Sequence, residues 1–335
     1  MILGLSSLRA RFAAPPAPRA AAAAEAEGWQ RREEAIMGTA IAVELWAEDA
    51  AAGQAAVDAV MAEMHRIDAA MSPHKPESEL SRINRDAGQG PVPLSDEMTR
   101  LLARALELSR LSGGAFDISY ASAGQLYDYR AGVAPAEAQL AEARAAIGWQ
   151  HLQLDVAART LRFGRPGMRI DLGGFAKGHA VDNAIAILRG LGIGHAMVSA
   201  GGDSHLLGDR RGRPWMIAIR DPRKSLGDKG EAIAVLPLVD VAISTSGDYE
   251  RFFIEKKSGV RHHHLLDPRT GRSPSHVRSV TVLADDGLTT EALSKTVFVL
   301  GAERGLALIE TLPGVDAVVV DAAGQLHYSS GLLGR

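Results

Sequence analysis

Apolar Ile41, Val43 and Leu45 alternate with smaller or polar neighbours, the period-two pattern of a half-buried strand. The period then changes. Val57, Val60, Met61, Met64, Ile67 and Met71 recur at helical spacing, which predicts one long helix whose Met-rich stripe faces a core. Pro73 stops it. Ser95 has the chemistry of an N-cap for a helix through Leu101, Leu102, Ala105 and Leu108, ended by Gly113 and Gly114. Pro135 opens another helix, to about Ile147. Short strands are expected at 152–156 and 160–163. The stretch IDLGGFAKGHAVD, Ile170 to Asp182, reads as a short strand with Asp171 at its end, a glycine turn, and a helix that stops at Gly190 or Gly192.

The second half is richer in strands, expected at 196–200, 214–220, 232–236, 241–245, 251–255 and 279–284. Helices follow at about 288–300 and 302–311, then strands near 316–320 and 325–328. Folded sequence is expected to begin near Arg32, and no repeat of fixed period is visible. Strands in runs, with helices grouped beside them, favour an α+β fold over a doubly wound sheet.

Composition narrows the picture. The chain has 335 residues, 46% hydrophobic and 23% charged, an ordinary globular balance. A net charge of −3 gives no basic footprint for nucleic acid. The absence of cysteine excludes disulfides, thiolate metal sites and a cysteine nucleophile. Residues 1–30 read as a disordered tail or an eroded export signal: an Ala-rich run precedes Glu25, but the apolar segment is broken by Arg9, Arg11 and prolines. No stretch approaches the roughly 18 apolar residues of a membrane span.

Lys177 falls in a first helical turn, where the helix dipole disfavours a cation. A bound anion would give it a reason. Two glycines, free N–H groups at a helix N-terminus and a nearby lysine together resemble a phosphate cradle, although the segment is neither a Walker loop nor GxGxxG. A plain turn needing glycines at positive φ fits as well. Four more segments stand out: GAFDISY (Gly114–Tyr120), SAGGDSHLLG (Ser199–Gly208), STSGDYERFF (Ser244–Phe253) and HHHLLDPRTG (His262–Gly271). Each is also ordinary loop chemistry. Of the three histidines, only His262 and His264 can share a strand face, and a metal would still lack a third ligand.

In this order and spacing, IDLGGFAKGHAVD, AGGD, STSGDYER and HHHLLDPRTG, with MGT (Met37–Thr39), SELSRIN (Ser78–Asn84) and GAFDIS upstream, resemble the ApbE family of FAD:protein FMN transferases over about residues 35–328. The resemblance implies a single α+β, T-fold-like catalytic domain over 32–330, with two lobes around a nucleotide cleft. It also implies a reaction: cleavage of FAD with Mg²⁺, transfer of FMN through a phosphoester to a Thr or Ser of an acceptor protein, and release of AMP. The acceptor would carry a short small-residue motif in a membrane or periplasmic electron-transfer protein, which places the enzyme in the periplasm or cell envelope. By the same resemblance Met37, His74, Ala115, Phe116, Asp117, Asp171, Lys177 and Leu266 contact FAD. Gly174 and Glu291 hold the metal, and His264 is the base on the acceptor hydroxyl.

One segment departs from the family pattern. Where members read A-D-A-L-[AS]-T, this chain reads TEALSK, so Glu291 replaces Asp and Lys295 replaces Thr. Glu still offers a hard oxygen. Lys is no ligand, and at 4 Å and an effective dielectric of 20 an ammonium would repel Mg²⁺ by roughly 8 kcal/mol. Lys295 therefore swings away, replaces the metal, or marks a different metal site; a surface Glu–Lys pair is the plainer reading. Transfer without a metal, with Lys295 supplying the charge, hydrolysis of FAD to FMN and AMP, or flavin binding without catalysis are the alternatives for a chain whose metal site has changed.

Overall fold

The alternating Ile41, Val43 and Leu45 are fully buried in the second strand of an eight-stranded sheet. The structure, a computed structural model, describes residues 28–223 and 232–333. The main sheet comprises β1 (Trp29–Ile36), β2 (Thr39–Trp46), β3 (Ala196–Ala200), β4 (Asp203–Leu207), β5 (Val241–Gly247), β6 (Val277–Ala284), β7 (Asp316–Asp321) and β8 (Leu326–Tyr328). The strands lie side by side in chain order, and every neighbouring pair is antiparallel.

β1 starts at Trp29, upstream of the expected Arg32, inside the segment read as tail or signal. The rest of that segment, residues 1–27, lies outside the described residues. Gln30–Glu34 are polar because β1 is an edge strand, tied to the neighbouring helix by Arg32–Asp58 at 2.6 Å. Its hairpin with β2 turns through Met37 and Gly38, both at positive φ (53° and 69°), the two-residue geometry that matches strand twist.

The principal helices are α1 (Ala50–Met71), α2 (Glu79–Asp86), α3 (Asp96–Leu111), α4 (Ala176–Gly190), α5 (Gly287–Leu300) and α6 (Ala302–Ile309). The Met-rich stripe of α1 is buried, and Ser95 caps α3 by accepting from Met98 N–H at 3.1 Å. Beyond Pro135 the helix is Glu137–Ala145. α2 was not expected; it is short, with only Leu80 and Ile83 buried, so no helical period shows. Among the described residues no helix is long and apolar enough to cross a membrane.

One large core joins β1–β3 to α1, α3 and α4; a second joins β6, β7, α5 and α6. This α+β arrangement meets where α4 crosses α5 glycine against glycine. A Cβ on Gly178 would lie 2.1 Å from the Gly287 carbonyl oxygen, and one on Gly287 would lie 2.8 Å from the Gly178 oxygen. Each helix also caps the other. Asp182 of α4 accepts from Gly287 N–H (2.7 Å) and Leu288 N–H (3.0 Å), while Glu291 of α5 accepts from Gly178 N–H (2.7 Å). Gly178→Ala is expected to force the helices apart and cost about 1–3 kcal/mol of stability, read from urea unfolding. An unchanged midpoint would mean that the crossing yields freely.

Candidate active site

A cleft lies between the two cores. Ala115, Phe116, Asp117, Ile118, Tyr120, Asp171, Gly173 and Gly174 line one side; His264, Leu265, Leu266, Pro268, Lys295 and Val299 line the other.

The first wall begins at the end of α3, where Gly113 and Gly114 take positive φ and turn the chain. Phe116 then packs on Phe175, ring centroids 5.8 Å apart. Asp117 is buried and its carboxylate is used internally. It accepts from Ser119 N–H (2.8 Å), Ser119 hydroxyl (2.6 Å) and Trp149 N–H (2.8 Å), which fixes the turn Ile118–Tyr120. Burial pushes its carboxyl up despite these donors.

Ile170–Asp171 is not a strand, contrary to the pattern reading. A side chain stands in for the missing neighbour: Ile170 N–H donates to Asn84 Oδ1 (2.8 Å) and Asn84 Nδ2 donates back to Ile170 C=O (2.9 Å). Asp171 N–H bonds Ile118 C=O at 3.0 Å. The Asp171 carboxylate accepts from Gly173 N–H (2.6 Å) and from the Tyr120 hydroxyl (3.2 Å). Burial, then Asp171, raises Tyr120 well above the ordinary phenol range, so it stays a donor. Neither Gly173 nor Gly174 has positive φ. Gly174 is needed for room instead, since its Cβ would sit 3.2 Å from the Phe116 ring and 3.6 Å from Lys295 Cδ. Asn84→Ala should strand the Ile170 amide pair, cost about 1–3 kcal/mol and speed hydrogen exchange at Ile170. Exchange as slow as in the parent protein would refute this role.

The cradle reading is corrected at the start of α4. Phe175 and Ala176 N–H bond Leu172 C=O, and Gly178 N–H bonds Glu291 Oε2, so these donors are not offered to a phosphate. Lys177 turns to two carboxylates, Asp203 Oδ2 at 2.5 Å and Glu291 Oε1. Burial opposes its charge, but Asp203 and Glu291 raise it above the ordinary lysine range. Asp203 is likewise opposed by burial and held below the carboxylate range by Lys177 and then Lys295. Lys295 reaches Glu291 Oε1 (3.2 Å) and Glu291 C=O (3.3 Å). Lys295 lines the cleft; Asp203 and Glu291 are buried beside it, and Lys177, partly exposed, is not among the lining residues.

His264 follows a short strand, Arg261–His263, that pairs with Phe252–Ile254. The three histidines go to different places. His262 stacks on Phe253 at 5.0 Å, and His263 Nε2 meets Pro274 C=O at 2.9 Å. Burial, then Lys295, His263, Arg251 and Lys177, lowers His264 to about 3, so its ring is neutral at pH 7. Its Nδ1 is buried without a hydrogen-bond partner. The DPRTG segment is a turn closed by Asp267 C=O and Gly271 N–H (2.8 Å) that presents Leu266 and Pro268 to the cleft.

Met37 and His74 are not among the lining residues. Met37 packs on the first core at the β1–β2 turn, and His74 is exposed after α1. Asp203, Tyr120 and Asn84 were not assigned from sequence. The unexplained cation at Lys177 was the signal for Asp203, since it called for a buried acid and AGGD supplied one.

Of the two residues expected to hold Mg²⁺, Gly174 lines the cleft, whereas the Glu291 carboxylate is already engaged. Glu291 is fully buried, with one oxygen on the Lys177 and Lys295 ammoniums and the other on a helix N–H. Among the described residues no three His, Cys, Asp or Glu side chains could together hold a metal ion.

An apolar cleft with a neutral imidazole on one wall and an ammonium beside it is the equipment of an α+β group-transfer enzyme. The comparisons specify which. Residues 37–319 match the model of the ApbE family. The FAD:protein FMN transferase of Treponema pallidum is 33% identical over 324 residues, covering 91% of this chain and 88% of that protein. The one from Vibrio cholerae is 34% identical, with 78% of each covered. Among solved structures, the ApbE protein of Thermotoga maritima superposes with a TM-score of 0.82 at 29% identity (90% of this chain, 97% of that one), and the flavin transferase ApbE of Vibrio cholerae with 0.79 at 29% (90% and 98%). The chain belongs to the ApbE family.

Proposed function

We propose that this chain takes FAD into the cleft and transfers its FMN half to a Thr or Ser hydroxyl of an acceptor protein, releasing AMP. The observation that carries the mechanism is the neutral His264 sharing the cleft with Lys295. The acceptor oxygen attacks the flavin-side phosphorus and its proton passes to the His264 imidazole. The new P–O bond forms as the bond to the bridging oxygen breaks, and that oxygen leaves with AMP and the electron pair. Phe116 and Leu266 offer apolar surface to the ring system, and Asp171 with Tyr120 offers polar contacts. Lys177 acts through Glu291 and Lys295.

The acceptor in this reading is a membrane or periplasmic electron-transfer protein with a small-residue motif, and the enzyme is exported as one catalytic domain. Incubation with FAD and candidate acceptors tests it: the acceptor should gain the mass of one FMN as AMP appears. AMP without a labelled acceptor would make the chain an FAD hydrolase. Bound FAD without any AMP would leave it a flavin-binding protein.

A further inference from the structure

We infer that Lys295, backed by Lys177, supplies the positive charge that the FAD pyrophosphate needs, so that this chain binds FAD and transfers FMN without a divalent cation. The inference rests on the FAD reading of the cleft and adds to it the group that meets the phosphates.

Lys295 lines the cleft beside Gly174 and shows 18% of its side chain to solvent. The glycine turn lies along its stem: a Cβ on Gly174 would be 3.6 Å from Lys295 Cδ. Its ion-pair contact with the Glu291 carboxylate is long, at 3.2 Å, and its other contact is the neutral Glu291 C=O at 3.3 Å, whereas Lys177 is held at 2.5 Å by Asp203 and by the Glu291 carboxylate as well. Lys295 is thus the cation placed to turn to an incoming anion, and Lys177 stays between Glu291 and Asp203 when it does. Two ammoniums and two carboxylates leave the cluster uncharged before FAD enters. A divalent ion recruiting Glu291 would compete with two lysines on Oε1 and with the Gly178 N–H on Oε2. Asp203 is likewise engaged, by Lys177 on Oδ2 and by the Ser244 side chain. At the transfer step the bridging oxygen gains negative charge as it leaves with AMP, and an ammonium donating N–H groups is suited to receive it.

The test is binding of FAD and of riboflavin, which has no phosphate, to chelator-treated protein in EDTA and in MgCl₂. Wild-type affinity for FAD should be the same in both within about twofold, and Lys295→Gln should weaken FAD about tenfold or more. Riboflavin binding should be unchanged in that variant, which also shows that it folds, and Lys295→Arg should keep FAD binding. A wild-type affinity that rises about tenfold or more with Mg²⁺ would overturn the inference while leaving the FAD reading intact. Equal loss of FAD and riboflavin in Lys295→Gln would overturn it too. If the wild type binds neither flavin, the FAD reading falls and the inference with it.

Discussion

His264→Asn is expected to slow FMN transfer by about 10²–10⁴-fold while FAD binding is kept. Asn matches the imidazole in polarity but cannot take a proton from the acceptor hydroxyl. Acceptor mass gain over time measures the rate, and flavin fluorescence the binding; a variant within about threefold of the parent rate would remove His264 from the chemistry. The pH dependence has a definite sign. An unfolded histidine titrates near 6.5, but the folded ring is held down to about 3. On acidification the unfolded chain therefore takes up the proton first. The stability tied to the neutral ring is complete above pH 6.5 and is lost as pH falls from there towards 3. His262 and His263 are lowered in the same direction, chiefly by burial, so acid should loosen the segment as a unit. In the proposed complex FAD brings negative charge next to Lys295, one of the causes of the depression, so its binding should move the His264 titration upward. NMR of the imidazole with and without FAD reads this directly, and no upward movement would sink the coupling.

Glu291→Leu is the second large effect. The substitution fills similar volume but leaves Lys177 and Lys295 without their shared carboxylate and Gly178 N–H without its cap. Breaking a buried ion pair from one side costs about 3–5 kcal/mol, which corresponds to a melting temperature roughly 6–10 °C lower for a chain of this size. Calorimetry checks it. A melting temperature within about 1 °C of the parent would show that the lysines find other partners and that the buried pair contributes little. Glu291→Gln should fall between the two, since it keeps an acceptor for Gly178 while losing the charge.

Sequence carried the elements whose pattern has one cause. Buried stripes such as Val57–Met71 and capped ends such as Ser95 were legible because local chemistry decides them. The family was legible because its motifs keep their order, although each alone is ordinary loop chemistry. What could not be read was supplied from far along the chain. Edge strand β1 hides its period in charge, β4 hides inside a Gly–Gly–Asp motif, and Ile170 finds its partner in an asparagine side chain rather than a strand. The site follows the same rule. Lys177 looked like a phosphate ligand because a first-turn cation needs an anion nearby. The anions are Asp203 and Glu291, which no sequence spacing brings together. Mg²⁺ is implied by the resemblance; the pairing of Glu291 with Lys177, beside its i,i+4 neighbour Lys295, is a contact that no spacing announces.

The antiparallel order of the sheet has a consequence for synthesis. β3 to β8 can add to one another as they emerge, each beside the strand before it. β2 must wait, because Ile41 pairs with Ala200 and every residue from 47 to 195 intervenes. Contacts this distant in sequence are slow to form. A nascent chain stalled before residue 196 therefore exposes the unpaired β2 edge of the β1–β2 hairpin, and is the length at which chaperone capture should peak.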